Sequence, residues 1–208
     1  MSFSAKITED NPMRILGING SPRISGNTDI LLDKVLAGAR SKGAQIEKVI
    51  LNQLKFAPCQ ECANIKDDGT CIVEDDLQPF YKKIEQADAI ILASPIFFGS
   101  LSAQTKMMVD RFQCAWRAKY ILKKDVFQRK RRGAFICVEA SDRKDFFANA
   151  KSIVKNLFAT INAGYAHELF CSGVDEKGSI LKYPDILNKA FELGKTIALG
   201  DVPQGDTP

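Results

Sequence analysis

The sequence predicts an α/β fold built on a five-stranded parallel sheet, and three observations carry that reading. Apolar runs alternate regularly with amphipathic segments along the chain. The clearest run, DAIILASP at 88–95, is almost continuously apolar, as in a strand covered on both faces. Five such strands alternating with helices imply right-handed crossovers and parallel pairing.

The elements follow in order. RILGING at 14–20 is a buried first strand ending in glycine. A helix starts near Asn27, with Leu31, Val35 and Ala39 on one face, and stops at the KGA break. QIEKVILNQL supplies a second strand near 45–51. VEDDLQPFYKKIEQA, 73–87, reads as a helix with acids at its start and lysines later, which suits the helix dipole. After DAIILASP, the segment LSAQTKMMVDRF places Leu101, Thr105, Met108 and Phe112 on one helical side. GAFICVEAS at 133–141 is a fourth strand, followed by a long helical region to about Ile161. GYAHELFCSG holds the fifth strand, and PDILNKAFELGKTIALG closes the chain with Ile186, Ala190 and Leu193 on its apolar side.

A chain of 208 residues can bury one full core, so residues 1–208 read as a single domain with loose ends at 1–12 and 202–208. Hydrophobic content of 45% and charged content of 26% are those of a soluble protein. No leader pattern opens the sequence and no apolar run nears the roughly 20 residues that span a bilayer, so the expectation is a cytoplasmic protein with no membrane partner. The net charge is +4, and much of it lies in 117–132, where eight basic residues face one aspartate. No recognition-helix or zinc-finger pattern accompanies that run, so nucleic acid is not an expected partner. The 112–132 stretch reads as a basic surface excursion between a helix and the next strand.

Ligands of parallel sheets bind beyond the carboxyl ends of the strands, which singles out three loops: 20–28, 94–101 and 139–146. The first, GSPRISGNT, follows the first strand and opens the first helix. Backbone N–H groups at a helix start cradle phosphate, and Arg23 adds a charge. The loop lacks both GxxxxGK[ST] and GxGxxG, so one terminal phosphate suits it better than a cleaved nucleotide or a dinucleotide. The plainer reading is a Gly/Ser turn capped by Asn27 or Thr28. The second loop, SPIFFGSLSAQTK, offers Phe97 and Phe98 to a planar ring and Gly99 for close backbone approach, with Ser100 or Ser102 capping the next helix. Taken alone, two phenylalanines beside a sheet are more often a core or dimer contact.

Together, GINGSPRISGNT and ASPIFFGSLSAQTKMMVDR resemble the NADPH-dependent FMN reductase family, near its iron-sulfur flavoprotein branch, from about Arg14 to Arg111. The resemblance implies a flavodoxin-like three-layer sandwich with sheet order 2-1-3-4-5. It places the FMN phosphate on Ser21, Arg23, Ser25, Asn27 and Thr28, and the ring on Pro95, Ile96, Phe97, Phe98 and Gly99. The third loop corresponds to Glu139, Ala140 and Ser141, without the paired glycines usual there.

The implied activity is that of an FMN-dependent oxidoreductase. Hydride arrives from NADPH or NADH as cosubstrate, and electrons leave to a quinone, a flavin or another small acceptor. Arg111, Arg117 and Lys119 are candidate cations for the extra NADPH phosphate. The alternatives are an electron carrier serving an electron-transfer protein, and a non-enzymatic flavodoxin-like binding protein. A homo-dimer or homo-tetramer is implied, with the Phe97/Phe98 loop and 112–132 as interface candidates.

The branch also carries four cluster cysteines, which fall here on Cys59, Cys62, Ile65 and Cys71. Isoleucine has no lone pair for iron, and a four-iron cluster takes four thiolates, so an iron-sulfur cluster is not expected. Cys59 and Cys62 are then either a redox pair or packing residues. Cys114, Cys137 and Cys171 read as packing residues.

Overall fold

The structure, a computed structural model, describes residues 12–62, 64–66 and 68–200. Apart from Pro12, the ends expected to be loose lie outside those residues. Five parallel strands run β1 (Arg14–Asn19), β2 (Gln45–Ile50), β3 (Ala89–Phe97), β5 (Arg131–Val138) and β6 (Ala163–Cys171). Their order in the sheet is β2-β1-β3-β5-β6, and the two-residue β4 (Ser100–Leu101) pairs antiparallel with β3. Counting the parallel strands alone, this is the expected flavodoxin-like 2-1-3-4-5 order.

Side-chain alternation along the strands divides the interior into two cores. Leu16, Ile18, Ile90, Leu92, Phe135 and Cys137 point to one face, which is covered by α2 (Gln78–Gln86), α3 (Ala103–Asp110) and α5 (Lys144–Thr160). Ile15, Ile91, Ala93, Ala134, Ile136 and Val138 point to the other, under α1 (Asn27–Arg40) and α6 (Pro184–Leu199). Cys137 and Cys171 are buried in these two cores, and burial pushes both thiols above their ordinary range. Among the described residues no helix is long and apolar enough to cross a membrane.

Three boundaries differ from expectation. The helix expected over 73–87 begins only at Gln78, because the Asp75 carboxylate accepts from the N–H groups of Leu77 and Ala57 and holds a turn there. Leu101, expected on a helix, lies in β4. The 112–132 excursion is ordered at both ends. It opens with α4 (Gln113–Trp116) and a π-helical turn over Arg117–Ile121. It closes with Arg131 and Arg132 already inside β5, where buried Arg131 pairs with Glu85 at 2.9 Å.

Candidate functional site

The sheet order reverses between β1 and β3, so the loops after these two strands flank one crevice at the carboxyl edge. The first loop is pulled into shape from below. The fully buried Asn19 ends β1; its side-chain carbonyl accepts from Ser21 N–H at 2.9 Å and its amide donates to Asp29 at 2.7 Å. The other Asp29 oxygen accepts from Ser25 N–H at 2.8 Å. That bond secures Ser25 in the left-handed region, at φ 55°, an uncommon conformation for a residue with a Cβ.

The helix α1 begins at Asn27 with no side-chain cap, so neither Asn27 nor Thr28 plays the capping role considered for them. Its first intrahelical acceptor is Gly26 O, taken by Ile30 N–H. The N–H groups of Asn27, Thr28 and Asp29 therefore have no helical acceptor and stand at the positive end of the helix. The five residues expected at the phosphate all lie on this loop, but they are not equivalent. Asn27 spends its side chain on Glu176 O and Ile180 N–H, so only its backbone faces the turn. Ser21 is occupied with the backbone of Arg23. Arg23, exposed, donates to Asp175 O at 3.0 Å.

The second loop is tied to the first by three buried hydroxyls. Ser102 caps α3 by accepting from Thr105 N–H at 3.2 Å, and donates to Gly20 O at 2.5 Å. Ser94 accepts from Ser102 N–H and from the Thr105 hydroxyl, each at 3.1 Å. Gly20 N–H in turn donates to Ala93 O at 2.8 Å. Only glycine fits at 20, since a Cβ there would lie 1.8 Å from the Thr105 hydroxyl.

Beyond this knot, Phe97 pairs with Ser100 and the turn between them is Phe98–Gly99, with φ of 50° and 74°. Positive φ at both central residues is the signature of a type I′ hairpin turn. Asn149 of α5 donates to Gly99 O at 2.8 Å and fixes the tip. Phe98 is fully exposed, at 108% of its reference area, and Phe97 is at 40%. Pro95 and Ile96 are buried beneath them, so of the ring-loop residues the two phenylalanines face outward.

The third loop contributes differently from the other two. Glu139 is buried and its Oε1 accepts from Arg143 N–H at 2.7 Å, at the residue that precedes α5, while Oε2 finds no partner among the described residues. Ala140 and Ser141 are exposed.

Arg111 is not a free cation for a nicotinamide phosphate. It is 1% exposed, and its guanidinium is consumed by the cysteine loop: Nη1 bonds Asp75 at 2.5 Å and Ala57 O at 2.9 Å, Nη2 bonds Val73 O, and Nε reaches Cys71 Sγ at 3.3 Å. Burial alone would raise the Asp75 carboxyl, but Arg111 and the two N–H groups outweigh it and hold it below its ordinary value. Lys119 is likewise engaged, by Ala159 O at 2.6 Å and by Asn162. Cys59 and Cys62 are half-buried. Among the described residues no three His, Cys, Asp or Glu side chains converge as metal ligands.

Asn19, Asp29 and Thr105 were not singled out as site residues from sequence; Ser102 was named there only as a candidate cap of the next helix, which it is. Asp29 was visible as the residue after the GNT turn; Asn19 and Thr105 declare themselves only once the strands are paired.

The sequence profile of the NADPH-dependent FMN reductase family matches residues 13–163. An iron-sulfur flavoprotein of Methanocaldococcus jannaschii is 41% identical over 99 residues, covering 48% of this chain and 51% of its own. Another, of Methanosarcina thermophila, is 34% identical over 114 residues, covering 55% of this chain and 60% of its own. The chain thus spans about half the length of the curated relatives it matches. Among solved structures, a flavone reductase superposes with TM-score 0.64 at 21% identity over 89% of this chain and 62% of that one. An azoreductase from Bacillus anthracis superposes with TM-score 0.64 at 13% identity over 91% of this chain and all of that one. At these identities the superpositions show a shared fold.

Proposed function

The chain belongs to the NADPH-dependent FMN reductase family, and from that premise we propose that it is an FMN-dependent oxidoreductase. It takes hydride from NADPH or NADH and passes electrons to a quinone, a flavin or another small acceptor. The observation that carries the reading is the uncapped start of α1 beside the rigid Phe97–Ser100 hairpin, both at the point where the sheet order reverses.

These residues fit FMN. The N–H groups of Asn27, Thr28 and Asp29, with the Thr28 hydroxyl, suit a terminal phosphate. The outward Phe97 and Phe98 rings and the backbone around Gly99 suit a flat heterocycle. Bound FMN supplies the redox chemistry, as the acceptor of hydride and the donor of electrons. The chain's part is to seat the phosphate, to hold the ring-side hairpin rigid through Ser102 and Asn149, and to leave one face open.

The four-thiolate cluster that the resemblance to the iron-sulfur flavoprotein branch implies does not fit this donor set. Ile65 stands at the third position, and Cys71 Sγ accepts from the buried Arg111. We place subunit contacts at the exposed hairpin tip and at Trp116, Tyr120, Ile121 and Leu122, an apolar surface that a homo-dimer or homo-tetramer would cover.

The test is to purify the protein anaerobically, record its absorption spectrum, identify any extracted flavin, and follow NADPH and NADH oxidation with a quinone acceptor. Bound or bindable FMN with rapid nicotinamide oxidation is the expected result. A protein that neither carries nor binds FMN would leave a flavodoxin-like binding protein instead. A flavin that exchanges electrons quickly with a reduced ferredoxin but slowly with either nicotinamide would make it an electron carrier.

A further inference from the structure

Asp29 is an anomaly in a loop assigned to an anion. Its side chain is 5% exposed and sits in the first turn of α1, one residue beyond Thr28, where its carboxylate would repel a phosphate. Yet the loop needs it. One oxygen accepts from Asn19 Nδ2 and so turns the Asn19 carbonyl toward Ser21 N–H. The other accepts from Ser25 N–H and holds the left-handed kink. No neutral side chain of this size presents two acceptor oxygens in that fork.

Compensation comes from a different strand. Lys48, on the edge strand β2, shares with Ile46 the face turned toward α1, and its ammonium lies 2.6 Å from Asp29 and 2.6 Å from Asp33 on the next turn. Burial would lower the Lys48 pKa, but hydrogen bonds to the two carboxylates outweigh it and hold the ammonium above its ordinary value. Asp33 is exposed and its charge is partly screened by water, whereas Asp29 is enclosed, so the local balance at the loop is set by the Lys48–Asp29 contact.

We propose that Lys48 is a positioning and specificity residue for the phosphate of the flavin: by neutralising the buried Asp29 carboxylate that shapes the anion loop, it lets that loop accept a dianion. The inference rests on the FMN-phosphate reading of the loop. It predicts that Lys48 matters for FMN and hardly at all for riboflavin, which has the same ring and ribityl chain but no phosphate.

The experiment is a titration of the flavin-stripped full chain with FMN and with riboflavin, comparing the natural protein with Lys48→Met, Lys48→Arg, Asp29→Asn and the Lys48→Met/Asp29→Asn pair. Lys48→Met is expected to weaken FMN binding by roughly tenfold, since the buried Asp29 charge in the first turn of α1 is left uncompensated, while riboflavin shifts by less than about twofold. Lys48→Arg is expected to keep the FMN preference. Asp29→Asn keeps only one acceptor of the fork and should by itself weaken both flavins; in that background the further Lys48→Met effect on FMN should largely vanish, the mark of a coupled pair. Equal weakening of both flavins by Lys48→Met would show a merely structural role and overturn the proposal, as would no effect on either. If the natural protein fails to bind FMN, or binds FMN and riboflavin alike, the phosphate reading itself falls and this proposal with it. That outcome is visible before any variant is compared.

Discussion

The hydroxyl of Ser102 donates to the carbonyl of Gly20 at 2.5 Å, across 82 positions of sequence. The same oxygen accepts from Thr105 N–H, so one atom caps α3 and anchors the end of β1. The two loops of the candidate site are therefore held to each other through the start of α3, alongside the direct bond from Gly20 N–H to Ala93 O. Ser102→Ala removes the cap and strands a buried carbonyl, an expected loss of about 2–4 kcal/mol in equilibrium denaturation. FMN affinity should fall severalfold with it, because Gly20 leads directly into the phosphate loop. A variant with unchanged stability would show that the bond carries no weight.

Arg111 and Asp75 form the second tie, between α3 and the cysteine loop. The arginine is almost wholly enclosed, so Asp75→Asn leaves a buried guanidinium without its countercharge, at an expected cost of about 3 kcal/mol or more. The pH dependence follows from the direction of the Asp75 shift. Its folded pKa is depressed, so the stabilisation is complete above the ordinary carboxylate value near 3.8 and is lost as pH falls through the lower folded value. Denaturation midpoints measured from pH 6 down to pH 2 should show this acid limb in the natural protein and a shallower one in Asp75→Asn.

Most of the sheet and the first loop were legible in the sequence because their signals are local. DAIILASP is an unbroken apolar run, and the strands and helices around GSPRISGNT follow each other without a gap. What was not legible depends on partners far away. Arg111 reads as a surface cation at the end of an amphipathic helix, yet its contacts lie 36 to 54 positions back. Lys48 reads as an ordinary edge-strand lysine until β2 pairs with β1 and turns it toward α1. The two-residue β4 escaped notice because its turn is Phe–Gly, not the Asn–Gly that advertises a hairpin.

Phe98 occupies a position in that turn where a bulky residue is strained and where its ring gains no burial in its own chain. Backbone strain of this kind accumulates at functional sites, where stability is traded for function. Phe98→Asn restores the favoured turn pair and should stabilise the protein by about 1 kcal/mol. The same change removes the outermost aromatic surface of the ring loop, so flavin affinity or nicotinamide turnover should drop. Calorimetry and a flavin titration on one preparation test both halves; a variant that gains stability and keeps full activity would assign Phe98 to another surface, such as a subunit contact.

The cysteines should separate by environment in a thiol titration. Cys59 and Cys62 are half-buried on the loop, whereas Cys71 is buried against Arg111, and Cys137 and Cys171 lie in the two cores. Cys114 is half-buried, but burial pushes its thiol up to about 11, so little thiolate exists near neutrality. A disulfide-exchange reagent at pH 7.5 should therefore modify Cys59 and Cys62 rapidly in the native protein and reach all 6 thiols only after unfolding. Anaerobic protein that contains iron, absorbs broadly across the visible and shields Cys59 and Cys62 from the reagent would contradict this. It would mean that the loop reorganises around a metal, drawing Cys71 away from the arginine that holds it here.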